Sequence, residues 1–148
     1  MKKIKIVLII IWMIVIFLLS NQPGDESSKL SNSLIDKTIV RVYEVFNGRL
    51  NNLEKRLIIE EYSYKVRKVA HFTEYFILGV LVYIYLIESY GSIKSLLLTV
   101  LICFVYAVTD EFHQLFINDR AFSPVDILID TSGSLVSSTI LLVKRGHK

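Results

Sequence analysis

SLLLTVLICFVYAVTDEFHQLF, residues 95–116, decides the fold. Its first two thirds are apolar and its length matches a bilayer crossing, which takes roughly 20 mostly apolar residues, with about 17 to 25 tolerated. Its last turns carry Asp110, Glu111, His113 and Gln114. On insertion scales an acidic residue at the centre of a spanning helix costs roughly 2.5 to 3.5 kcal/mol, and less near the interface. Such residues mark either a polar helix end or a site. The question is whether other segments bring polar groups to the same place.

Three further runs have spanning length. Residues 4–20 follow a basic start, with Lys2, Lys3 and Lys5, and end in FLLSNQPG. Leu18 and Leu19 stand where a signal-peptidase site needs small residues, so the segment reads as a retained helix, and Pro23 and Gly24 end it. VAHFTEYFILGVLVYIYLI, residues 69–87, is the second span, residues 95–116 the third, and residues 124–143 the fourth. The chain is 53% hydrophobic and 21% charged, with mean hydropathy +0.50, and the charges lie mostly between these runs. The expected fold is therefore all-α: a polytopic membrane protein with four transmembrane helices.

Lys and Arg in short flanks set orientation. Lys2, Lys3 and Lys5 at one end, and Lys144, Arg145 and Lys148 at the other, place both termini in the cytoplasm. Segment 21–68 and loop 117–123 are then outside. Within the outer segment, Leu30, Leu34, Thr38, Val42 and Val45 recur at helical spacing, Asn47-Gly48 breaks the rhythm, and Leu50, Leu53 and Leu57 resume it. This predicts two short amphipathic helices on the membrane surface or over the bundle; a substrate-facing lid is the alternative. The net charge of +3 is small, and basic ends suit anionic lipid headgroups rather than nucleic acid. Cys103 is the single cysteine, which excludes an internal disulfide and any Cys-based zinc spacing, and it reads as a packing residue. Tyr83, Tyr85 and Tyr90 read as an interfacial belt.

This topology gathers the ionisable groups on one face. His71 and Glu74 lie in the first turns of the second helix, Asp110, Glu111, His113 and Gln114 in the last turns of the third, and Asp126 and Asp130 in the first turns of the fourth. Arg120 and Ser123 are in the loop between the last two. Spacings of three (His71/Glu74, Asp110/His113) and four (Asp110/Gln114, Asp126/Asp130) put each pair on one helix face. The five carboxylates need compensation from Arg120, a basic residue at 67 or 68, protonation or a bound cation. Simpler readings stand beside this. Ser123-Pro124-Val125-Asp126 is a helix start in which Asp126 serves only the cap. Glu111 pairs with Arg120. His71 only packs. Gly133, Ser134, Ser137 and Ser138 allow close helix contact.

KVAHFTEYFILGVL (68–81) and TDEFHQLFINDRAFSPVDILIDTSG (109–133), with SNQPG (20–24) after the first helix, resemble the VanZ-like family of small bacterial membrane proteins. The likeness covers residues of about 17–24 and 67–140, while residues 25–65 carry no matching motif. It implies a single multi-pass domain over residues 1–148 in the bacterial cell membrane. The family is named for a member associated with teicoplanin resistance, so a phenotype is implied rather than a reaction. The positions matching its polar motif are Lys68, His71, Glu74, Asp110, Glu111, His113, Gln114, Arg120, Asp126 and Asp130.

Two functional classes lead, and a third, ion or proton coupling, is disfavoured because four helices without a repeat, and without charges in their inner halves, offer no through-path. In the first, the pocket is an enzyme site, metal-dependent or acid–base, for a hydrolase or transferase acting on lipid-linked cell-wall or envelope precursors. His71, Glu74, Asp110, Glu111, His113 and Asp126 are its catalytic candidates. Lys68, Gln114, Arg120 and Asp130 are the substrate-binding candidates. His71, Glu74, Asp110, His113 and Asp126 are candidate ligands for a divalent metal. No GxSxG-type nucleophile motif is present. In the second, the pocket binds a lipid headgroup or shields a precursor or glycopeptide without turnover.

Overall fold

The computed structural model describes residues 2–146, so the Lys148 used above for orientation lies outside the described residues. All regular structure among them is helical. Helix α1 (Lys2–Ser20) is followed by α2 (Gly24–Ile35), a π-turn over Asp36–Val40 and α3 (Arg41–Asn47). Then come α4 (Asn52–Leu86), α5 (Ser92–Gln114) and α6 (Pro124–Gly146). Helices α1, α4, α5 and α6 are long and apolar enough to cross a membrane, in agreement with the four expected spans.

The main departure concerns residues 21–68. Of the two short amphipathic helices expected there on the membrane surface or over the bundle, the first is present and packs against α4, and the second is not a separate piece. The first is α2 and α3 joined through the π-turn, and it ends at Gly48, whose φ of 80° no side-chain-bearing residue adopts readily. The second is simply the start of α4. Asn51 caps that helix: its side chain accepts from the Glu54 amide at 2.9 Å, and Glu54 accepts back from the Asn51 amide at 2.7 Å. Helix α4 therefore has 35 residues, about 52 Å at 1.5 Å per residue, against a hydrocarbon core of about 30 Å. Its first half continues beyond the expected span of 69–87 because the polar stretch before residue 69 keeps good helix formers and contains neither Gly nor Pro.

Helices α4 and α6 pack most intimately, and α5 joins both. Small residues make this possible, as expected for Gly133, Ser134, Ser137 and Ser138. A Cβ on Gly133 would lie 3.0 Å from the Phe76 amide nitrogen of α4, and one on Gly79 would lie 2.8 Å from Ser134 Cα of α6. The two backbones approach closely enough for dispersion contacts to hold helices together in a solvent as apolar as their side chains. Ser134, Ser137 and Ser138 are buried and return their hydroxyls to their own helix carbonyls, so none is left unsatisfied. Cys103 is buried in the core, as expected of a packing residue.

Helix α1 is the most lipid-exposed span; among the described residues it contacts α4 and α5 but not α6. Two hydrogen bonds strap its middle. Trp12 Nε1 donates to the Glu74 carbonyl at 2.9 Å, and the Tyr106 hydroxyl donates to the Met13 carbonyl at 2.7 Å. The start of α1, the end of α4 and the end of α6 meet at one face of the bundle, where Lys5 pairs with Glu88 and Lys2 Nζ donates to Ser89 at 3.0 Å. Tyr83 departs from the expected belt: it is buried beneath this terminal face, whereas Tyr90 is exposed.

Candidate functional site

At the opposite face the end of α1, the middle of α4, the end of α5 and the start of α6 converge, and most of the sequence-derived residues meet there. They do so in two different ways.

Three of the acids are interhelical anchors. Asp110 Oδ2 accepts from the Ser20 hydroxyl of α1 at 2.7 Å and from Gln114 Nε2 at 3.4 Å. Glu111, 0% exposed, accepts the Ser123 amide at 2.7 Å and so ties the end of α5 to the start of α6. Asp126 pairs with Lys68, linking α6 to α4. Ser123 also caps α6, its Oγ accepting the Asp126 amide at 3.3 Å. Asp126 is therefore more than a capping residue, and Lys68, a candidate for substrate binding, is engaged by Asp126. Its unusual place on the expected outer side is the compensation the acids require. Gln114, the other polar binding candidate on α5, is likewise taken up by Asp110.

Glu111 does not pair with Arg120 as the simpler reading expects, because its carboxylate is turned inward to the Ser123 amide. Arg120 Nε instead donates to the Gln22 carbonyl at 3.3 Å. His113 points away from the cavity toward α1, where its ring stacks on Phe17 with centroids 4.6 Å apart and its Nε2 lies 3.2 Å from Asn21 Oδ1. Its ring is occupied by α1, so it shares the helix end with Asp110 without sharing its partners.

The remaining residues surround a cavity of about 250 Å³. Its polar lining includes His71, Glu74 and Arg67 from α4 and Arg120 from the loop. Leu30 and Leu34 of α2, with Val66 and Leu19, form an apolar wall. The rhythm of Leu30 and Leu34 thus serves the cavity and the outer surface, while Ser31, Ile35 and Val40 turn inward. Helix α2 overlies the cavity, which is the geometry of the lid alternative. Beneath it, His71 Nδ1 lies 3.5 Å from Asp130 Oδ1, and Asp130 is 0% exposed with no hydrogen-bond partner on either oxygen among the described residues. Asp130 supports His71 from below and does not reach the cavity wall. The Glu74 side chain is half-buried, and among the described residues no hydrogen bond or ion pair engages its carboxylate.

The two guanidiniums are partly free. Arg67 donates to the Ser28 hydroxyl at 2.9 Å, and its buried Nε has no partner among the described residues. Burial pushes the Arg120 guanidinium below its ordinary pKa, and the neighbouring Arg67 charge acts in the same direction. Two like charges beside one cavity favour an anion there.

A metal fits this arrangement poorly. Among the described residues no three His, Cys, Asp or Glu side chains converge as a ligand set. Of the five candidate ligands, Asp110 and Asp126 are held in anchors and His113 faces α1, which leaves His71 and Glu74.

Sequence reasoning missed Ser20, Asn21 and Gln22 as parts of this region, whereas Arg67 was already implied there as a charge to offset the acids or bind phosphate. The SNQPG motif docks as a unit: Ser20 on Asp110, Asn21 on His113, Gln22 on Arg120, and the Gly24 amide on the Asn118 carbonyl at 3.1 Å. A Cβ on Gly24 would lie 3.1 Å from Asp119 Cβ and still closer to its carbonyl oxygen, so glycine is required by this approach. The motif itself was the available signal, a polar pentapeptide directly after a spanning helix.

Four helices long and apolar enough to cross a membrane, with a polar cluster at one bundle end beside a cavity that has a charged side and an apolar wall, define a multi-pass helical membrane protein. A match to the VanZ/LLP1 family extends over residues 5–145, and the chain belongs to that family. The match also runs through residues 25–65, which carry no motif of their own. No curated protein and no solved structure matched the chain.

Proposed function

We propose that the cavity faces the outside of the bacterial cell membrane and receives the anionic, phosphate-bearing headgroup of a lipid-linked envelope component, on which Glu74 and His71 perform acid–base chemistry. The observation that carries this reading is the lining itself. Arg67 and Arg120 supply charge for a phosphate, Glu74 offers an uncommitted carboxylate, His71 is backed by Asp130, and an apolar wall from α2 stands beside them. An amphiphile needs both halves of that lining, whereas a free ion needs only one. The bias of Lys2, Lys3, Lys5, Lys144 and Arg145 supports the orientation. Arg is suited to phosphate because its fork donates in pairs. In this mechanism Glu74 takes the proton of an attacking water as its oxygen bonds to the phosphoryl centre, and His71, whose charged form the nearby Asp130 favours, gives a proton to the oxygen that leaves as the ester bond breaks.

A second reading is favoured by the engagement of Asp110, Glu111 and Asp126 in anchors: the protein binds and shields an envelope precursor or a lipoglycopeptide without turnover. Family membership makes a contribution to teicoplanin resistance the matching phenotype. One experiment separates the two. Glu74→Gln and His71→Gln proteins are compared with wild type at equal membrane abundance for teicoplanin susceptibility and for binding of a polyprenyl phosphate in nanodiscs. Binding kept with phenotype lost in both variants supports chemistry. Binding and phenotype both kept leave the shielding reading. Loss of neither binding nor phenotype in an Arg67→Gln/Arg120→Gln variant refutes the cavity as the site.

A further inference from the structure

The second large feature of the molecule lies at the other face. Because α1 contacts α4 but not α6, a cleft opens between α1 and α6 with the end of α4 as its floor. This cleft encloses about 950 Å³ and is lined by Lys5, Tyr83, Ile84, Ile87, Glu88, Leu141, Lys144 and Arg145. Its floor is apolar and its rim is basic. The one acid, Glu88, is already paired with Lys5, and that pairing lowers the Glu88 pKa. Among the described residues neither Lys144 nor Arg145 has an acidic partner.

Lys144 and Arg145 stand in the last turn of α6, where they also offset the helix dipole. That role requires neither a cleft nor Tyr83. Tyr83 is 2% exposed, lines the cleft, and its hydroxyl has no hydrogen-bond partner among the described residues. A buried hydroxyl without a partner is unfavourable, and a ligand oxygen that reached it from the cleft would satisfy it.

We infer that this cleft is a binding site for one anionic phospholipid of the leaflet at the terminal face, its phosphate held by Lys144 and Arg145 and one headgroup or ester oxygen accepting from Tyr83. Basic pockets between spanning helices on the cytoplasmic side are suited to such headgroups. A soluble phosphate would leave Ile84, Ile87 and Leu141 facing water, whereas a lipid covers them with its glycerol backbone and first methylenes. The site is independent of the cavity at the opposite face, and its failure would leave the proposal for that cavity untouched.

The test is native mass spectrometry of the full chain, released from nanodiscs of equal phosphatidylglycerol and phosphatidylcholine. Wild type retains one phosphatidylglycerol in preference to phosphatidylcholine. The Lys144→Gln/Arg145→Gln variant lowers that retention about tenfold or more, since each basic group near a membrane surface contributes roughly 1 kcal/mol. Tyr83→Phe lowers it about threefold with no change of charge, a small loss in keeping with one hydrogen bond. Lys94→Gln, which removes one charge from the neighbouring α4–α5 region outside the cleft, leaves it unchanged. Equal retention of both lipids, an equal loss in Lys94→Gln, or an unaltered Tyr83→Phe overturns the built site. Displacement of the lipid by soluble glycerol phosphate at equal concentration overturns its lipid character.

Discussion

Lys68 and Asp126 join α4 to α6 with side-chain exposures of 16% and 11%, which sets the size of the effect expected from breaking them. An exposed pair contributes about 0 to 1 kcal/mol. Removing one partner of a buried pair costs about 3 to 5 kcal/mol, because the other charge is left without compensation. The low exposures place this pair nearer the second case. Asp126→Asn and Lys68→Met should each destabilise by about 2 to 4 kcal/mol. The double variant should lose less than the sum by roughly 1.5 to 3 kcal/mol, the range expected for charges in contact. The assay is unfolding in mixed micelles with increasing SDS, followed by circular dichroism and by fluorescence of Trp12, the single tryptophan, whose indole is bonded to the Glu74 carbonyl. Coincidence of the two transitions licenses the thermodynamic cycle. A coupling below about 0.5 kcal/mol, the level shown by independent sites, would refute the pair and with it the explanation of why a lysine precedes the second span.

Ser20→Ala should cost about 1.5 to 3 kcal/mol in the same assay, since it removes a donor from the buried Asp110 carboxylate; Ser20→Thr, which keeps the hydroxyl, should restore most of that loss. Gly133→Ala should destabilise by about 1 to 3 kcal/mol, because its Cβ meets α4 backbone atoms that no side-chain rotation can clear. Prolonged EDTA treatment should shift Tm by less than about 2 °C, since a tightly held ion would stabilise through mass action; a larger drop reversed by one divalent metal would reinstate a ligand set built on His71 and Glu74. The Glu44–Lys55 pair joins α3 to the start of α4 at 2.8 Å and lowers the Glu44 pKa. A depressed folded value means that this link is complete above the ordinary carboxylate range and is lost as pH falls through the lowered value. The protection factors of amides around residues 48–51, corrected for the intrinsic pH dependence of exchange, should fall at acid pH in wild type, and that pH step should disappear in Lys55→Gln.

The spans were legible because lipid imposes a length and an apolar composition on any helix that crosses it, and those are properties of single segments. The starting point of α4 was not. The bilayer sets where a crossing ends, but a helix with an Asn51 capping box and no breaker continues past it into water. The gathering of His71, Glu74, Asp110, Glu111, Asp126 and Asp130 at one end also followed from topology, since helix direction and position along the span fix the depth of each residue. What each helix face meets did not follow so easily. Asp110 and His113 are three apart and both turn to the end of α1, as their spacing implies, yet Asp110 meets Ser20 while His113 meets Phe17 and Asn21, and neither lines the cavity. Whether a polar face opens on a cavity or docks on another helix depends on what α1 presents to it, and the sequence of α5 alone does not contain that.

The same limit explains why a list of polar positions is a poor list of catalytic ones. In lipid an acid near a helix end costs least when it is bonded, and a bonded acid is most readily provided by joining two helices. Asp110, Glu111 and Asp126 therefore do for this bundle what apolar packing does in water: each ties one helix end or loop to another where the membrane supplies no hydrophobic drive. Their removal should cost stability first, and any loss of function would follow from that. Glu74 differs because its half-buried carboxylate has no such partner, and the His71–Asp130 pair differs because neither Asp130 oxygen is hydrogen-bonded. Polar groups kept in an expensive place without a structural tie are where chemistry or ligand binding is best sought. Glu74→Gln should accordingly leave the unfolding transition within about 0.5 kcal/mol of wild type, the usual range for a substitution that breaks no structural contact, while abolishing the function proposed for the cavity. A Glu74→Gln protein that unfolds as readily as Asp126→Asn would put Glu74 among the anchors and leave the cavity without its acid.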